Sequence, residues 1–113
     1  MSGVITALQK ASRAGALSEI AVQFAELLER QDPAADPSVL LAGALAAERA
    51  LAGDVCIDLA SIAGSIAWEG DSDGDLVAPD FSTWQQALWR CSLVGDGGRL
   101  SPLVLTDDGR LYL

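Results

Sequence analysis

A chain of 113 residues, half of them hydrophobic, can bury one modest core and leaves no room for a second, so residues 1–113 read as a single domain. Sixteen acidic residues against seven basic ones give a net charge of −9, the wrong sign for neutralising a phosphate backbone, and the absence of histidine removes the commonest general base and the usual zinc ligand. The longest apolar run, Val39 to Ala47, is stopped by Glu48-Arg49, and no basic-then-apolar leader opens the chain, which points to a cytoplasmic protein without a membrane partner.

From the amino terminus, Val4, Ile5, Leu8 and Ala11 recur at helical spacing and predict a helix over residues 3–14, ended by Gly15. Ser18 is placed to cap a second helix over 18–31. Its apolar face carries Ile20, Phe24, Leu27, Leu28 and Gln31, with Glu19, Gln23, Glu26 and Arg30 elsewhere. Glu26 and Arg30 are four apart, in the orientation that favours a weak helix pair. Asp36-Pro37 then opens a third helix over 37–52, since aspartate accepts the orphan amide bonds and proline has its φ preset for the first turn. Nearly every residue from Val39 to Leu51 is apolar, and Gly43 with many alanines lets neighbours approach closely. That helix should be central, with Gly53 ending it at a positive φ.

The second half predicts a strand over Val55 to Asp58 in GDVCIDL, a short helix over Leu59 to Ile66, and a polar loop, GDSDGD, over Gly70 to Asp75. Asp71, Asp73 and Asp75 resemble the start of a calcium loop, yet the glycine comes too early and Ser82 stands where the bidentate glutamate belongs, so no metal site is expected. Over residues 80–91 a fourth helix places Phe81, Trp84, Leu88 and Cys91 on one core-facing stripe. Trp89 points about 100° away from Leu88, beside Gln85 and Gln86. Trp89 with these glutamines either anchors a protein contact or packs on the hairpin or the loop around Trp68.

Gly95-Asp96-Gly97-Gly98 is too short for a phosphate loop, and nothing matches GxxxxGK[ST]. Leu103 to Leu105 and Arg110 to Leu113 flank the turn Asp107-Asp108-Gly109 and should pair as a hairpin. Cys56 and Cys91 lack metal spacing and read as small buried hydrophobes. The expected fold is therefore α+β: mainly helical, with a small antiparallel three-stranded sheet and a winged-helix-like order in the carboxy-terminal half. Winged helices usually bind DNA. Here the arginines at 13, 30, 49, 90, 99 and 110 are scattered, and the charge argues against that use.

AVQFAELL (Ala21 to Leu28), SVLLAGALAAERALAGDVCIDLASIAG (Ser38 to Gly64), FSTWQQALWRCSLVG (Phe81 to Gly95) and PLVLTDDGRLYL (Pro102 to Leu113) together resemble the amino-terminal domain of the alpha subunit of exodeoxyribonuclease V, RecD. The resemblance runs from about residue 17 onward, and its most diagnostic stretch is the apolar helix entering GDVCIDL. It implies a non-catalytic module of the RecBCD helicase-nuclease, an enzyme of double-strand-break repair, docked on a RecC-like subunit; the exposed helix face with Trp89, Gln85 and Gln86 is where the residues themselves place part of that contact. It also implies no cofactor here, because ATP and magnesium belong to helicase domains that follow this module and whose phosphate-loop motif this chain lacks. Two other readings stay open: a stand-alone winged-helix nucleic-acid-binding or regulatory module, and a small enzyme or metal-binding module using Asp71 to Asp75.

Overall fold

The computed structural model describes residues 3–13, 15, 17–64, 66–68, 76–77, 79–91, 93–95, 103–106 and 109–112; the readings of Asp71, Asp73 and Asp75, of residues 96–98, of Arg99 and of Asp107-Asp108 lie outside these. Helix α1 (Gly3–Arg13) buries Ile5, Leu8 and Ala11, and Gly15 follows at φ +82°. Helix α2 (Glu19–Gln31) starts at Ser18, whose hydroxyl accepts from the Ala21 amide at 3.3 Å. Helix α3 (Pro37–Leu51) starts at Asp36, whose carboxylate accepts from the Ser38 amide at 2.9 Å, with Pro37 in the first turn. Every residue from Val39 to Ala47 is buried, so α3 is the central helix its composition implied. Gly53, at φ +96°, turns the chain away from its end.

The pairing of α2 with α3 differs from the expectation in which face of α2 turns inward. Ala21, Val22, Ala25 and Leu28 are buried, whereas Ile20 is 59% exposed, Leu27 is 42% exposed and Phe24 is half-buried. Close approach explains the choice. A Cβ added at Gly43 would collide with Leu28 Cδ1 and would meet Phe24 Cε2 at 3.5 Å, so the helices cross where α3 has no side chain. Turning the bulky stripe inward would hold the backbones apart and forfeit those dispersion contacts. The hairpin is also tied at its ends, because the Ser18 amide donates to Glu48 Oε1 at 3.1 Å. Glu26 accepts from Gln9 Nε2 at 3.0 Å, joining α2 to α1 where an ion pair with Arg30 had been expected.

After α3 come β1 (Ile57–Asp58), α4 (Leu59–Ile62), β2 (Ile66–Trp68), β3 (Leu76–Val77), α5 (Phe81–Arg90), β4 (Val94–Gly95), β5 (Leu103–Leu105) and β6 (Arg110–Tyr112). The main sheet has the order β1-β6-β5-β4. β1 and β5 both run antiparallel to β6, as expected, but β4 pairs with β5 in parallel, Val94 opposite Leu103. The sheet is therefore four-stranded and mixed, not three-stranded and antiparallel.

Two further expectations change. The first strand shortens to Ile57–Asp58, leaving Val55 84% exposed and Cys56 just outside it. The helix predicted over Leu59 to Ile66 stops at Ile62, because Gly64 takes φ +76° and its amide donates to the Pro79 carbonyl at 3.0 Å. Ile66 then pairs with Val77 in a separate antiparallel ladder of β2 with β3, which also makes Trp68 a strand residue. That ladder stands between α4 and α5, where a winged helix would have a short turn, so the winged-helix order is not the one observed. The architecture remains α+β and mainly helical, and the described buried residues of α1, α2, α3, α5 and the main sheet form one cluster.

Candidate functional site

Helix α5 is fixed by three contacts, and these decide what it shows to solvent. At its start Asp80 accepts from the Thr83 amide at 3.2 Å and from the Thr83 hydroxyl at 2.7 Å, and these bonds hold its carboxyl below the ordinary value. One turn in, Trp84 is fully buried, and its indole Nε1 donates to the Ser38 carbonyl at 2.8 Å, joining α5 to the first turn of α3. Phe81 lies against the β5–β6 turn: a Cβ at Gly109 would come within 2.6 Å of Phe81 Cε1 and Cζ. The Gly109 carbonyl also accepts from the Leu59 amide at 3.0 Å, so one turn organises both α4 and α5.

With Trp84, Leu88 and Cys91 inward, the outer face of α5 carries Gln85, Gln86, Trp89 and Arg90. Trp89 is 40% exposed, Gln86 and Arg90 are exposed, and Gln85 is half-buried. Arg90 Nη2 donates to Gln86 Oε1 at 3.5 Å. Gln86 is thus the neighbour of Trp89 at i+3 and of Arg90 at i+4, making one continuous amphipathic surface. Beside it lies a cavity of about 270 Å³ lined by Asp32, Ala34, Ala35, Asp36, Ala87, Arg90 and Cys91.

Burial pushes the Cys91 thiol above its ordinary value, and the neighbouring Asp32 carboxylate, 3.7 Å from Sγ, pushes the same way, so the thiol stays protonated. Asp36 is held below its ordinary value mainly by the Ser38 hydroxyl and amide, with a smaller contribution from the Arg90 charge. No group of three potential metal ligands occurs among the described residues, and no described helix is long and apolar enough to cross a membrane. The described arginines at 13, 30, 49, 90 and 110 are all exposed, and Arg49 lies 3.5 Å from Asp54. A second cavity, of about 490 Å³ and mostly polar lining, lies between α1 and α2.

Sequence reasoning missed four exposed apolar side chains, Ile20, Leu27, Leu51 and Val55. For the first two a signal existed: α2 carries a second apolar stripe, Ala21, Val22, Ala25 and Leu28, smaller in volume but better matched to a glycine- and alanine-rich neighbour. No curated protein matches the chain. Residues 13–112 match the family model described as RecBCD enzyme subunit RecD, N-terminal domain, which is nearly the whole chain.

Proposed function

Since the chain belongs to the family of RecD N-terminal domains of the RecBCD enzyme, we propose that it is a non-catalytic docking module of that helicase-nuclease. On this reading it acts in double-strand-break repair in the cytoplasm and attaches to a RecC-like subunit. The observation that carries the reading is the outer face of α5, where a tryptophan 40% exposed stands among amide side chains on a helix fixed by a buried indole hydrogen bond. A rigid aromatic anchor ringed by hydrogen-bonding groups is the usual composition of a protein hot spot. Residues Gln85 and Gln86 supply the rim, and the cavity beside Arg90 can receive a partner side chain.

The charge supports a protein partner over DNA. A −9 domain forgoes the counterion release that supplies most nonspecific DNA affinity, and acidity discourages stray contact with the enzyme's own substrate. The activity expected of this chain alone is neither ATP hydrolysis nor nucleolysis, and it needs no cofactor.

Co-purification with the RecC-like subunit near physiological salt tests the role. The wild-type chain is expected to be retained, and Trp89→Ala to weaken binding by about 2 kcal/mol, roughly thirtyfold. Duplex and single-stranded DNA should not bind in the same buffer. Retention unaffected by Trp89→Ala removes the residue from the interface, and submicromolar DNA binding without partner binding overturns the docking role.

A further inference from the structure

α2 presents a second surface, on a different helix from the α5 face. Ile20 and Leu27, 59% and 42% exposed, lie seven residues apart on one stripe along the outside of the helix, while half-buried Phe24 lies between that stripe and α3, its ring near Gly43. On a 3.6-residue repeat, exposed Glu19, Gln23 and Arg30 lie within about 40° of one another, along one flank of that stripe. Glu19 belongs to the first turn of α2 and Arg30 to the last. The flank therefore has an acid at one end and a base at the other.

Such a flank complements itself when a second identical helix runs antiparallel. A twofold axis perpendicular to both helices reverses their direction but keeps each flank on the same side. Glu19 then faces Arg30 of the second copy, and Arg30 faces its Glu19. The same operation sets Ile20 beside Leu27 of the second copy. Opposed helix dipoles add to the attraction, whereas a parallel pair would carry the two charged flanks to opposite sides of the contact, where they do not meet. We propose that this face is a self-association surface, on which α2 of one copy packs antiparallel against α2 of a second copy. Two exposed apolar side chains per copy fall well short of the roughly 800 Å² per partner of a stable interface, and like net charges oppose approach, so the dimer is weaker than about micromolar.

Sedimentation equilibrium of the chain, from about 10 µM to about 1 mM to span that weak range, reads the outcome. A reversible monomer–dimer equilibrium is expected. Leu27→Glu should weaken it about tenfold or more by placing a charge in the apolar stripe. Arg30→Glu should weaken it by about threefold to tenfold, because exposed pairs contribute modestly and there are two of them. The double variant Glu19→Arg with Arg30→Glu should return the affinity to within about threefold of wild type, since opposite charges again face each other. All three positions are exposed, and circular dichroism checks that each variant keeps its helix content. A chain monomeric at the highest concentration, a dimer indifferent to Leu27→Glu, or an Arg30→Glu defect that the double variant fails to restore would each overturn the assignment.

Discussion

At the scale of single residues, Gly109 carries more structure than its size suggests. Its φ of +89° is a conformation that L side chains avoid, and Phe81 occupies the space a Cβ would need. Gly109→Ala should therefore cost about 1–3 kcal/mol, measured by urea denaturation. Because Phe81 opens α5, the same change should also disturb the presentation of Trp89. The cysteines make a second residue-scale test. Cys91 is buried with its thiol pushed up by desolvation, whereas Cys56 is half-buried on a short segment outside β1. At pH 8 a thiol reagent should label Cys56 first. Cys91 should react only at the rate at which α5 opens, so equal labelling rates in the folded protein would contradict the assigned burial.

At the scale of elements, helix starts are set by local chemistry, and that is why they were legible. Ser18 and Asp36, the caps read from the sequence, each accept from a backbone amide of the helix they open, and Asp58 and Asp80, which the sequence reading did not single out, do the same at α4 and α5. Removing the cap at α3 by Asp36→Ala should cost about 1 kcal/mol. Its acid dependence follows from linkage. Asp36 has a folded pKa below the ordinary 3.8, so the unfolded chain binds more protons near that value. The contribution is fully present above the ordinary value and is lost as pH falls through the lowered one. Asp36→Asn can still cap but cannot titrate, so its stability between about pH 5 and 2 should fall less steeply than that of wild type. Strand pairing was less legible. The β5–β6 hairpin announced itself through its aspartate-glycine turn, but β4 is two residues long, too short for any alternation to register.

At the scale of the whole molecule, one cluster of buried side chains joins the helices to the main sheet, with α3 at its centre and the Trp84 indole bonded to the Ser38 carbonyl. A shared core predicts cooperative unfolding. With Trp68→Phe and Trp89→Phe leaving Trp84 as the sole tryptophan, its fluorescence and the far-ultraviolet circular dichroism should follow one urea transition. Two separate midpoints would mean that the helices and the sheet are independent units. The net charge of −9 also belongs to this scale, since it bears on long-range association and not on the fold.

The sequence by itself determined the helix starts, the central position of α3, the β5–β6 turn and the core stripe of α5, because caps, proline, glycine and long apolar periodicity act within a few residues. It also carried the family, through stretches spread over most of the chain. Only the tertiary structure decided which stripe of α2 faces inward, since two apolar stripes competed and the choice rested on Gly43 in another helix. The parallel β4–β5 pairing and the ladder between α4 and α5 were likewise decided by the fold, because their strands are only two or three residues long and carry no alternation to read.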